Sequence, residues 1–228
     1  MMKHKVVTES EWIAARQELL AKEKELAAFR DEVTRARQQL PWRRITESYT
    51  FQDSRGTSTL AELFGDRSQL IVYHFMFGPG WEEGCPSCSF WADQYDVIDM
   101  HIGQRDVALV AVSRADWREF EPFRRRMGWH FRWVSSAGNS FNRDFNVSFP
   151  DQETGFYNFR EGGVGEEMPG LSVFYKDEAG EIFHTYSTFS RGLDPLNVTY
   201  QMLDLVPRGR DEQDLDFPMA WVRHHDRY

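Results

Sequence analysis

The sequence predicts an α/β protein with a central mixed sheet flanked by helices and preceded by a helical extension. Three observations predict it. Apolar runs at Gln69–Phe77 and Asp106–Ser113 read as buried strands separated by a helical pattern. Two later runs, Leu171–Lys176 and Glu181–Tyr186, are joined by Asp177-Glu178-Ala179-Gly180 and read as an antiparallel hairpin. Between the first two strands stands Gly84-Cys85-Pro86-Ser87-Cys88, which holds both cysteines of the chain. On the first turn of a helix, that spacing lets two sulfurs close a disulfide or share a metal.

Composition sets the bounds. The 228 residues suffice for one sizeable core plus an appendage, and 18 Phe with 8 Trp argue against disorder. A net charge of −9 disfavours a nucleic-acid backbone as partner. No apolar run is long enough to span a bilayer, and the opening Met-Met-Lys-His-Lys leads into a charged helical pattern. The expected setting is therefore cytoplasmic, with no membrane and no nucleic acid. There a lone cysteine pair is more often catalytic or metal-binding than structural.

In chain order, Thr8-Glu9-Ser10-Glu11 forms a capping box that starts a helix. Trp12, Ala15, Leu19, Lys22, Leu26, Phe29, Val33, Ala36 and Leu40 then recur at spacings of three and four, as in a heptad seam. Pro41 ends it. Residues 1–40 are thus expected to be an amphipathic arm, either docked on the same chain or contributing to a homodimer. A β segment at Glu47–Phe51 and a short helix at Leu60–Phe64 precede the main strand. The pattern from Phe90 to Met100 predicts one helix, and Asp116–Met127 another, ended by Gly128. Phe131–Val134 reads as an edge strand and Asn139–Phe145 as a short helix. Residues 150–168, acidic and glycine-rich, read as a long loop, and Pro195–Leu205 as the closing helix. The expected domains are the arm, a core over 41–206, and a polar surface tail over 207–228.

βαβ followed by ββα resembles the thioredoxin-like fold, and Met168-Pro169-Gly170 sharpens the resemblance. In that superfamily a cis-proline opens the strand facing the C-x-x-C, and Pro169 occupies that place. The front end, with Gly56, Leu60 and the strand at 70–77, is similar to the peroxiredoxin and alkyl-hydroperoxide-reductase branch. The segments Glu11–Arg16, Tyr73–Pro79, Arg126–Trp129 and His184–Thr188 resemble a largely bacterial, functionally uncharacterised thioredoxin-like family.

The resemblance implies a thiol–disulfide oxidoreductase. Cys85 would attack from the helix start, where unpaired N–H groups favour an anion, and Cys88 would resolve the mixed disulfide. A thiol pKa of about 7 in place of about 8.5 raises the thiolate fraction at neutral pH roughly sixteen-fold. Nucleophilicity per thiolate falls roughly five-fold, so the larger gain is in leaving-group quality. Pro86 and Ser87 between the cysteines tune this balance. Met168, Pro169 and Trp81 would line the groove. His74, on the strand before the site, is a candidate acceptor for the Cys88 proton, or a core histidine.

The expected substrate is a disulfide-containing protein or a small-molecule thiol. Without a G-x-G-x-x-G motif no cofactor is expected, and electrons would come from a thioredoxin or glutathione system. Other readings remain open. The cysteines could be inert, or could be half of a zinc site completed by His224-His225-Asp226, although no second C-x-x-C exists. The chain could also be a non-catalytic binding module on a thioredoxin scaffold. A thiol peroxidase is less consistent, since Glu82 stands where peroxiredoxins place a threonine. Arg114 and Arg191 are candidate anion contacts, or ordinary surface arginines.

Overall fold

The computed structural model describes residues 4–150 and 152–228. The chain divides into two compact units, Met1–Pro41 and Trp42–Tyr228. The first is a single helix, α1 (Glu9–Gln38), started by the Thr8 and Glu11 capping box and carrying no buried residue. Trp12, Leu19, Leu26 and Phe29 of the seam are all at least half exposed, apart from Leu26 at 49%.

The second unit begins with β1 (Arg43–Arg44) and the hairpin β2 (Thr50–Asp53) and β3 (Gly56–Thr59). Thr59 and Glu62 cap the short α2 (Leu60–Leu63) reciprocally. The main strand β4 (Gln69–His74) leads through a loop to α3 (Pro86–Ala92), α4 (Tyr95–Ile102) and β5 (Val107–Ser113). There follow α5 (Trp117–Arg126), β6 (Arg132–Ser135), α6 (Phe141–Asp144), and the hairpin β7 (Thr154–Tyr157) and β8 (Arg160–Gly163). β9 (Gly170–Lys176), β10 (Ile182–Phe189) and α7 (Val198–Leu203) complete the regular elements.

Eight strands form one sheet in the order β1-β10-β9-β4-β5-β6-β2-β3. β4, β5 and β6 run parallel, β9 lies antiparallel to β4, and β10 lies antiparallel to β9. This βαβ half joined to a ββα half is the thioredoxin-like arrangement, with β4 central and α3 springing from its C-terminal end. Ligand chemistry on open α/β sheets gathers at such strand ends.

Alternation along β4 assigns its side chains to two cores. Tyr73 joins Phe75, Cys88, Trp91, Phe123 and Trp133 on one face. Leu70 and Val72 join Phe51, Val110, Phe141 and Phe174 on the other.

Several expectations are corrected. The helix after the cysteines is two helices, because the chain turns at Asp93, whose carboxylate accepts the Trp129 indole N–H at 2.9 Å. β6 is not an edge: β2 pairs with it at Gln52 and Ser135. The loop at 150–168 contains the β7–β8 hairpin, in which Gly155 meets Phe149 so closely that a side chain there would clash. The stretch expected as one closing helix is a 3-10 turn at Ser190–Leu196 followed by α7, with the break at Asn197, whose side chain caps α7. The C-terminal segment is not simply a polar surface tail. Val222 and His224 are buried, and the Trp221 ring packs edge-on against Phe90 at 5.4 Å.

Candidate active site

Cys85 is the N-cap of α3 and Pro86 its first residue, where the missing proline N–H costs the helix nothing. The loop that delivers Cys85 is held from below: its N–H donates to Met76 O at 3.3 Å, and its carbonyl accepts from the Ser89 hydroxyl at 3.0 Å. Gly84 is required here. A Cβ on it would lie 2.6 Å from the Phe75 and Phe123 rings.

Both cysteines are free thiols, Cys85 half-buried and Cys88 buried, and they lie 3.9 Å apart. Their surroundings separate their acidities. The Cys88 S–H donating to Cys85 holds the Cys85 thiol down to about 7; burial opposes this, while the N–H groups of Cys88 and Ser87 and the Ser87 hydroxyl add to it. Burial pushes the Cys88 thiol well above the ordinary range, and an ionised Cys85 beside it pushes it further. The Met76 N–H and Tyr73 hydroxyl only partly counter that rise. The result is one accessible thiol poised for ionisation and one kept protonated behind it.

The pair opens on a cavity of about 710 Å³. Met168 and Pro169 line it together with Tyr73, Met76, Trp91 and Tyr157. It is lined further by Ser190, Arg191, Leu193 and Asp194 and by the C-terminal segment at Phe217, Pro218 and Met219.

Pro169 therefore stands where the sequence places it, but its peptide bond is trans, as are all peptide bonds among the described residues. Glu167 bridges to Ser148, and the Met168 N–H donates to Val147 O at 2.8 Å, so the chain enters β9 already extended. The Pro169 carbonyl accepts the Tyr157 hydroxyl at 2.7 Å, and the same oxygen of Tyr157 accepts from the Ser190 N–H at 3.1 Å.

His74 is not beneath Cys88. It lies on the opposite face of β4, stacked on Phe145 with ring centroids 6.0 Å apart, and its Nε2 contacts the Ser172 hydroxyl at 2.8 Å. Burial lowers its pKa to about 3, with His184 adding to the fall, so it is a neutral core histidine. Strand alternation assigns the position facing Cys88 to Tyr73, whose hydroxyl donates to the Cys88 carbonyl at 3.3 Å.

Trp81 packs on Phe77 and lines a smaller cleft of about 330 Å³ beside Cys85 and Pro86. Arg114 is committed to Glu166 and Glu167. Arg191 is exposed and 3.6 Å from Asp194.

The C-terminal histidines are occupied by the protein itself. His224 Nε2–H donates to Gly84 O at 2.8 Å, and its Nδ1 accepts from Arg126 at 3.0 Å. His225 Nδ1 lies 2.6 Å from Asp93. Among the described residues no three side chains of His, Cys, Asp or Glu converge to hold a metal ion.

The sequence reading assigns no site role to Met76, Tyr73, Tyr157 or Met219, and offers His224 only as a zinc ligand. For Tyr73 the signal was present, since residues of alternate parity on β4 must face opposite sheets of side chains. For the tail it was the cluster Phe217-Pro218-Met219-Ala220-Trp221-Val222, too apolar to be solvated.

The topology and the cysteine pair at the start of α3 define a thioredoxin-like protein. The chain belongs to the family described as "Bacterial protein of unknown function (DUF899)", whose model matches residues 1–228. No curated protein matches it. Among solved structures it is similar to the peroxidoxin BcpB of Mycobacterium tuberculosis, with 12% identity over 72% of this chain and 97% of that chain and a TM-score of 0.48. It is also similar to a Xanthomonas campestris bacterioferritin comigratory protein described for alkyl peroxide reduction, with 14% identity, 66% and 86% coverage, and a TM-score of 0.48.

Proposed function

We propose that the protein is a dithiol–disulfide oxidoreductase in which Cys85 attacks and Cys88 resolves. One observation carries this reading: an ionisable, half-buried thiol at a helix start has a second, protonated thiol 3.9 Å behind it, and both border an open cavity. An inert structural pair has no need of that asymmetry or of that opening.

The chemistry follows from the positions. The Cys85 thiolate attacks one sulfur of a substrate disulfide, forming a mixed disulfide and expelling a thiolate that takes up a proton. Cys88 then loses its proton and attacks Cys85 Sγ, expelling the second thiolate. A disulfide bond is about 2.0 Å long, so the two sulfurs must close by roughly 2 Å. An external dithiol returns two electrons. The reading places the activity in a reducing cytoplasm fed by a thioredoxin or glutathione system, where a lone cysteine pair is more often catalytic than structural. It also pairs the exposed seam of α1 with a second copy of the chain as a homodimer.

The test uses a neutral chromogenic disulfide, dithiodipyridine. Reduced wild type should release two equivalents of thiopyridine. Cys88→Ser should release one and retain the other as a mass-detectable adduct, and Cys85→Ser should react far more slowly. Equal rates for wild type and Cys85→Ser would instead favour a binding module.

A further inference from the structure

The surroundings of Cys85 say which disulfides can reach it. Protein substrates of thiol oxidoreductases need a surface on which an extended chain can lie, supplied by an open strand edge or by free backbone groups next to the cysteine. No open strand edge is offered here, and the backbone groups at Pro169 are taken or missing. β4 and β9, the strands beneath the pair, are interior strands of the sheet, whose edges are β1 and β3. In the segment leading into β9 the Met168 N–H is bonded to Val147 O, residue 169 has no N–H, and the Pro169 carbonyl is taken by Tyr157.

What is offered is a cavity. Its volume of about 710 Å³ falls within the roughly 300–1,000 Å³ typical of small-molecule sites. Its apolar lining includes Met76, Trp91, Tyr157, Met168 and, from the C-terminal segment, Phe217 and Met219.

Most of the charged groups in its lining are committed within the protein. Arg210 bonds Asp194 and Asp204, each at 2.9 Å, and stacks over Tyr200 at 3.9 Å. Glu212 Oε1 takes the Tyr200 hydroxyl, the Trp221 indole N–H and the Met219 N–H. The acids Asp194, Asp204 and Glu212 outnumber Arg191 and Arg210, so a polyanionic ligand has at most the exposed Arg191 to meet it.

We infer that the substrate taken by Cys85 is a low-molecular-weight, non-anionic, largely apolar disulfide, held against the C-terminal wall and reduced inside the cavity to two thiols. This rests on the dithiol reading above. The balance is the one given there: protein dithiol plus R–S–S–R yields protein disulfide plus two R–SH, with an added dithiol restoring the protein.

The experiment compares two aromatic disulfides of similar body, neutral dithiodipyridine and the dianion dithiobis(nitrobenzoate), with insulin as the protein substrate and dithiothreitol as reductant. Each aromatic rate is divided by that of N-acetylcysteine with the same disulfide, to remove intrinsic reactivity. The wild type should favour the neutral disulfide by at least about ten-fold on this scale, as burying an unpaired charge requires, and its rate should saturate. Insulin should not be reduced above the dithiothreitol background. Phe217→Asp, which puts a carboxylate on the wall, should weaken saturation by the neutral disulfide at least about five-fold. Its Cys85 alkylation by iodoacetamide at a pH well above the thiol's midpoint, where the added carboxylate no longer changes the ionised fraction, should stay within about two-fold of wild type, showing an intact thiol.

Equal normalised rates for the two aromatic disulfides, Cys85-dependent insulin reduction, or an unaltered Phe217→Asp would each overturn the inference while leaving the dithiol reading in place. If Cys85→Ser matches wild type with every disulfide, the dithiol reading falls, and this inference with it.

Discussion

Replacing His74 by leucine should flatten the acid limb of the protein's stability. His74 is buried and neutral, between Phe141 and Phe145 on one side and Ser172 on the other, and its pKa is lowered to about 3. In the unfolded chain an imidazole protonates near pH 6.5. The unfolded state therefore binds a proton between these values while the folded state does not, so stability present above pH 6.5 is lost as pH falls toward 3. Integrating that difference from pH 7 gives a loss of about 2 kcal/mol by pH 5 and about 4 kcal/mol by pH 3. His184, lowered to about 4 mainly by burial, adds its own loss and remains in the variant. The assay is guanidinium unfolding of wild type and His74→Leu at pH 7 and pH 5. The wild type should lose about 2 kcal/mol more than the variant over that interval, whatever the variant's stability at pH 7. Identical losses would show that His74 titrates normally, and the packing described around it would be wrong.

Three further outcomes follow from the site. The rate of Cys85 alkylation by iodoacetamide should rise with pH about a midpoint near 7, and Cys88→Ala, which removes the S–H donor, should move that midpoint upward. His224→Ala leaves the Gly84 carbonyl and the Arg126 guanidinium without their imidazole partner, at a cost of about 1–3 kcal/mol, and should speed hydrogen exchange across residues 217–228. Gly84→Ala should destabilise by about 1–3 kcal/mol through its collision with Phe75 and Phe123, read from a thermal melt. On the arm, Trp12→Glu with Leu19→Glu should convert a sedimenting dimer to a monomer, whereas an unchanged mass would remove the dimer.

How far the sequence reached depends on the range of the interaction involved. The parallel pair β4 and β5 and the hairpin β9–β10 were legible because each is a run of buried apolar residues with local turn chemistry. The start of α3 was legible from Cys85 and Pro86 alone. The trans geometry at Pro169 was not, since nothing in the sequence beside an X–Pro bond fixes its isomer. The placement of His74 failed for a different reason: its proximity in sequence to the cysteines hid the two-residue alternation that gives the inward position to Tyr73. The C-terminal wall was missed because charge around it masked Trp221 and Val222, and its anchors are Glu83, Gly84, Phe90 and Asp93, more than a hundred residues earlier.

The most direct test is a redox titration of the purified protein in dithiothreitol buffers, counting free thiols by mass shift after alkylation. The account predicts a single two-electron transition from two thiols to none in the wild type, absent in both Cys85→Ser and Cys88→Ser. Two thiols persisting in oxidising buffer, or two sulfurs oxidising independently, would contradict it.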